Sequence, residues 1–94
     1  HTLVIPKAPI RTILDAAPAE LAATFATVQK VARAVKGGMA ADGLTIQQFN
    51  EPAGGQVVFH LHVHILPRWD AVPLRPHTGE MAQSEALAAH AEKI

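Results

Sequence analysis

The sequence predicts an α+β chain, with one long amphipathic helix set among three short strand segments. Two observations carry this. From Pro18 onward the apolar residues Leu21, Phe25, Val28, Ala32 and Val35 recur at spacings of four, three, four and three, which is one face of a helix. On either side of that stretch lie runs of β-branched and aliphatic residues that stop at proline or at turn-forming residues, as strands do.

Residues 2–5 read as the first strand, closed by Pro6, and the segment from Pro9 to Asp15 reads as loop or a helical turn. Pro18 and Glu20 suit the first and third positions of the helix, although Ala17 before them has no side-chain acceptor to cap it. Lys30, Arg33 and Lys36 lie mostly off the apolar stripe and favour the helix's C-terminal half. The helix is expected to end between Gly37 and Ala41, ahead of the turn at Asp42-Gly43. Residues 44–49 then read as a second strand and residues 50–56, with Pro52 and Gly54-Gly55, as a hairpin connection. A third strand is expected over residues 57–66, ended by Pro67. Past Pro73 and Pro76 the alanine-rich residues 81–93 suggest a terminal helix.

At 94 residues the chain is one domain or less, and 49% hydrophobic residues suffice for a modest core. Eight Lys and Arg balance eight Asp and Glu, so there is no basic footprint for gripping a nucleic-acid backbone, and no nucleic-acid partner is expected. There are no cysteines, which excludes a disulfide framework, a thiolate nucleophile and a cysteine-rich zinc module within these residues. No apolar run approaches the ~20 residues of a spanning helix. A cytoplasmic protein without a membrane partner is expected. His1 leads directly into Leu3-Val4-Ile5, so the domain opens inside a strand and upstream residues are expected.

The chemistry concentrates in Phe59-His60-Leu61-His62-Val63-His64-Ile65-Leu66. On a continuous strand His60, His62 and His64 would share one face, ~6–7 Å apart, and Leu61, Val63 and Ile65 the other. A single strand histidine is ordinarily a surface or structural residue. Three in strict alternation, in a chain with six, call for a chemical reason. Neutral imidazole is a competent nucleophile near pH 7, and its neighbours can orient it or donate protons. Alternating histidines also suit zinc, so the pattern alone leaves covalent catalysis and metal binding level.

The stretch from Asn50 to Arg68, with Gly54-Gly55-Gln56 ahead of the alternating histidines, closely resembles the signature of the histidine-triad (HIT) superfamily. The opening His1-Thr2-Leu3-Val4-Ile5-Pro6-Lys7, Gln29-Lys30-Val31-Ala32 on the helix, and Ala41-Asp42-Gly43 resemble that family too, most closely its bacterial phosphoramidase-like branch. The resemblance implies a HIT-like antiparallel sheet with the long helix packed across one face. Residues 1–94 would be the C-terminal catalytic portion of the domain, with strands missing upstream and a homodimer completing the assembly.

The same resemblance implies that His62 attacks the α-phosphorus of a nucleotide and forms a nucleotidyl-histidine intermediate that water cleaves. His64 would contact the phosphate oxygens, and His60 would pack behind the nucleophile and help fix its tautomer. Asn50, Gln56 and Val57 would line the phosphate pocket, with His1 nearby. Val57 stands where relatives often carry a hydroxyl residue, and it cannot donate toward a leaving group. The implied partner is a purine nucleotide or its conjugate, with adenosine 5′-phosphoramidates first and dinucleoside polyphosphates second. The alternative is a non-catalytic nucleotide- or zinc-binding protein. No cofactor is required for this chemistry, although zinc could be held by His1 and His60 together with upstream cysteines. Arg68 and Trp69 read as surface and core-covering residues, and His77 and His90 receive no function.

Overall fold

The computed structural model describes residues 1–74. The helix suggested over residues 81–93, together with His77 and His90, lies outside them. The elements run β1 (Thr2–Val4), α1 (Pro18–Gly38), β2 (Gly43–Gln47), a single 3₁₀ turn (Pro52–Gly54) and β3 (Val63–Arg68). The strands form one antiparallel sheet in the order β1-β3-β2, so β3 lies in the middle. No helix among the described residues is long and apolar enough to cross a membrane.

The helix starts where its sequence can support a start. Pro18 takes the first position, where its missing N–H costs nothing. Ala17 has no capping side chain, but the Glu20 carboxylate reaches back 2.8 Å to accept from the Ala17 N–H. The buried stripe of α1 is Thr24, Val28, Ala32 and Val35. Phe25, expected on that stripe, is largely exposed, and Thr24 takes its place against the sheet. The first turns are therefore rotated by about one residue relative to the apolar pattern. At the other end Trp69 Nε1 donates to the Met39 and Ala40 carbonyls, satisfying acceptors that the last turn leaves without helical partners.

The core joins this stripe to Val4 of β1 and to Val63 and Ile65 of β3, both fully buried. Each such aliphatic side chain contributes ~1.5–3 kcal/mol by leaving water. Because side chains alternate, packing Val63 and Ile65 onto the helix turns His64 to the opposite face, where it pairs across the sheet with Leu3 and Gln47.

β1 ends at Val4 rather than residue 5 and β2 starts at Gly43 rather than residue 44, and three further strand bounds differ from expectation for related reasons. The ladder needs partners, and β1 reaches only residues 63–65 of β3 while β2 reaches residues 64–68. Residues 57–62 therefore have no neighbouring strand, and β3 begins at Val63 rather than at Val57. β2 stops at Gln47, opposite His64, rather than at Phe49. Pro67 does not end the third strand: it pairs with Leu44 beyond the reach of β1, so its lack of an N–H faces an open edge.

Candidate active site

The alternating histidines do not stand in a row on one strand. His64 alone is in β3; His60 and His62 lie in the extended, non-ladder segment that leads into it. This segment is held by one backbone bond and one side-chain bond to the loop after β1 instead of by a strand. The Leu61 N–H donates to the Ile10 carbonyl at 2.6 Å, and His60 Nε2 donates to the Pro6 carbonyl at 2.9 Å.

This arrangement defines the state of His62. Its Nδ1 lies 2.6 Å from the His60 carbonyl oxygen. A carbonyl only accepts, so Nδ1 carries the hydrogen and, in the neutral ring, Nε2 carries the lone pair. The group that fixes the tautomer is therefore the backbone of His60. The His60 imidazole is occupied with Pro6 and anchors the segment. His62 is half-buried and, with His60, Leu3, Ile5 and Val58, lines an open cavity of about 340 Å³.

His64 is only 5% exposed, not on an open face as a simple strand would have it. The His62 ring stands edge-on to it with centroids 4.9 Å apart, and Phe49 stands edge-on from another side at 5.6 Å. His1 stacks on it at 4.9 Å between centroids, with His1 Nε2 at 2.7 Å from His64 Nδ1. The structure thus brings His1, His62 and His64 together as one cluster.

Asn50 and Gln56 are both bonded within the protein. Asn50 Oδ1 accepts from the Ile13 N–H at 2.9 Å, and its amide exchanges two hydrogen bonds of 2.8 Å with that of Gln48. Gln56 is 2% exposed. Its Oε1 accepts from the Glu51 N–H, and its Nε2 donates to the Arg11 and Val58 carbonyls. The amide of Gln56 is therefore the internal brace of the loop. Val57, 83% exposed, presents the neighbouring apolar surface.

The turn between Asn50 and Gln56 is tightly specified. Gly55 sits at φ 95°, and a Cβ there would meet the Phe49 ring at 3.3 Å. Gly55→Ala should accordingly lower unfolding free energy by about 1–2 kcal/mol, measured by urea denaturation. An unchanged midpoint would show that the turn has other conformations open to it.

A zinc site on His1 and His60 would need further ligands that are not among these residues. His1 Nε2 is on His64 and His60 Nε2 on Pro6. No group of three or more His, Cys, Asp or Glu able to hold a metal occurs among the described residues, and two histidines do not make a four-ligand site.

Pattern reading overlooked Arg11, Glu51, Gln48 and Phe49, which surround these residues. None belongs to a periodic array. The only sequence signal would have been Glu51 next to Asn50 in a turn.

Comparison with known proteins agrees with the geometry. A family model described as HIT domain matches residues 1–71. An adenylylsulfatase from Arabidopsis thaliana is 33% identical over 84 residues, covering 83% of this chain and 43% of the relative. The asymmetrical bis(5′-nucleosyl)-tetraphosphatase of Schizosaccharomyces pombe is 37% identical over 68 residues, 72% of this chain and 37% of its own length. Among solved structures, a Hit-like protein from Bartonella henselae superposes with a TM-score of 0.88 at 45% identity, over 97% of this chain and 65% of that one. The chain spans about half, or less, of the curated relatives it matches.

Proposed function

This chain belongs to the HIT domain family, and on that basis we propose that it carries the catalytic segment of a nucleotide hydrolase or transferase in which His62 is the nucleophile. The observation that carries this reading is the 2.6 Å contact between His62 Nδ1 and the His60 carbonyl. It leaves Nε2 as the basic nitrogen beside the cavity, the form that nucleophilic attack requires. In the first step Nε2 bonds to the α-phosphorus as the bond from phosphorus to the leaving group breaks, and the leaving group departs with its electron pair. Water then attacks the same phosphorus, the N–P bond breaks, and a nucleoside monophosphate is released. Dividing the displacement in this way lowers each barrier.

In this reading His64, buried beside His62, contributes contacts to the phosphate oxygens. Asn50 and Gln56 act by shaping the loop that leads into Val58 and His60 at the pocket. Adenosine 5′-phosphoramidates are the first substrates to try and dinucleoside polyphosphates the second, the latter supported by the kinship with a tetraphosphatase. Full-length protein incubated with an α-labelled adenosine phosphoramidate and quenched in mild alkali should retain label on His62, since N–P bonds of this kind break in acid. Turnover with no trapped label at any quench time would refute the covalent step.

The functional unit is a homodimer in this reading. Among the described residues β1 and β2 are the edge strands of the sheet, and Ile46 on β2 is half exposed. Sedimentation of full-length protein at micromolar concentration should give a dimer; a monomer throughout that range would contradict it.

A further inference from the structure

The segment between β1 and α1 makes an unusual number of bonds to the catalytic loop. The Ile10 carbonyl receives Leu61, the Arg11 carbonyl receives Gln56, and the Ile13 N–H reaches Asn50. The side chain of Arg11 adds to these. Its guanidinium makes three hydrogen bonds to the Glu51 carboxylate, at 2.7, 3.0 and 3.1 Å, using both Nε and Nη2. Its Cζ also lies 4.3 Å from the centroid of the Phe59 ring. Glu51 opens the loop and Phe59 closes it, directly before His60.

Glu51 holds its backbone at φ 65° and ψ 162°, a conformation that side-chain-bearing residues avoid. Such a residue costs on the order of 1–3 kcal/mol unless its surroundings hold it. Its neighbours Asn50 and Gln56 are aimed by that backbone, because the Glu51 N–H bonds Gln56 and the Glu51 carbonyl accepts from the Gly54 and Gln56 amides.

We propose that Arg11 is a positioning residue for the phosphate-binding loop, clamping Glu51 and Phe59 so that residues 50–59 keep the shape that receives the α-phosphate. This rests on the nucleotide reading of the site given above. The Arg11–Glu51 pair is 50% and 44% exposed at its side chains, so it adds little to global stability. Arg11 hydrogen-bonded to Glu51 holds that carboxyl below its ordinary range, consistent with a pair that is made rather than merely adjacent. Lysine could supply the charge, but neither the fork nor the flat surface that covers Phe59.

The clamp reaches the loop and not His62, whose partner is the His60 carbonyl. Its removal should therefore weaken substrate binding more than chemistry. In full-length protein, Arg11→Met should raise KM about tenfold with kcat within threefold, and speed hydrogen exchange at Gly54 and Gln56 about tenfold. Arg11→Lys should fall between the two, and Arg33→Met, on the exposed face of α1, should match wild type. A structural role alone would lower the active fraction, and so kcat, with KM unchanged; that result overturns the proposal, as does a KM within twofold of wild type. If the wild-type protein turns over no adenosine phosphoramidate or dinucleoside polyphosphate, the catalytic reading fails. The clamp is then decided by exchange alone, standing if Arg11→Met speeds it at Gly54 and Gln56 and falling if it does not.

Discussion

His62→Asn should eliminate turnover while leaving nucleotide binding intact. Asparagine keeps similar bulk, and its side chain can still be held near the His60 carbonyl, but it offers no basic nitrogen to phosphorus. Removing a covalent nucleophile typically costs at least about 10⁴-fold in rate, on the order of 5 kcal/mol of transition-state stabilisation. The cavity residues Leu3, Ile5 and Val58 are untouched, so adenosine monophosphate should bind within a few-fold of wild type. Single-turnover rates and equilibrium titration on the same preparation separate the two effects. Near-normal rates in His62→Asn would remove the basis for reading these histidines as catalytic. On the proposed mechanism His64→Ala should slow the reaction less, since it takes away a packing neighbour of His62 and a proposed phosphate contact rather than the proposed nucleophile.

The largest expected effect on stability is at Gln56. Replacement by leucine leaves the Glu51 N–H and the Arg11 and Val58 carbonyls without the partners they have now, all within a loop that excludes water from the side chain. Each buried polar group stranded in this way costs ~1–3 kcal/mol, so a loss of about 3–5 kcal/mol is expected. For a chain of this size that is a large share of the ~5–15 kcal/mol a domain has in total. Gln56→Glu should do nearly as badly, because it keeps the acceptor for Glu51 but turns an anion toward two carbonyls. Urea denaturation of full-length protein measures both. A cost below about 1 kcal/mol for Gln56→Leu would mean that other groups or water take over these bonds.

Much of this could be read from sequence, and the reasons for the rest are physical. The 3.6-residue period of Val28, Ala32 and Val35 reports a real helical face, and α1 begins at Pro18 as expected. The period does not report which of Thr24 and Phe25 meets the sheet, since a threonine can be buried once the neighbouring strands leave it no other place. Likewise, alternating residues indicate an extended chain but not a partner for it. Residues 57–62 have the composition of a strand and lack a ladder: the Leu61 N–H and the His60 side chain bond carbonyls of the loop after β1, and the Val58 carbonyl accepts from the Gln56 side chain. The grouping of His62 with His64 follows from the motif. The brace at Gln56 and the clamp at Arg11 join residues about 40 to 45 positions apart, with no pattern linking them.

The hold on His62 by a main-chain oxygen has an evolutionary and practical consequence. Every amino acid at position 60 brings the same carbonyl, so no codon change there can delete the group that selects the tautomer of His62, the proposed nucleophile. Substitution of His60 acts through the tether to Pro6, by letting the segment drift, and through the cavity that His60 helps to line. A saturation screen would therefore score position 60 as graded and permissive, and position 62 as all-or-none. Such a screen would underrate the atom at position 60 on which the nucleophile depends most, because that atom is not genetically variable. Only a backbone change that removes or weakens the acceptor, such as an ester or thioamide introduced by chemical synthesis, would expose it.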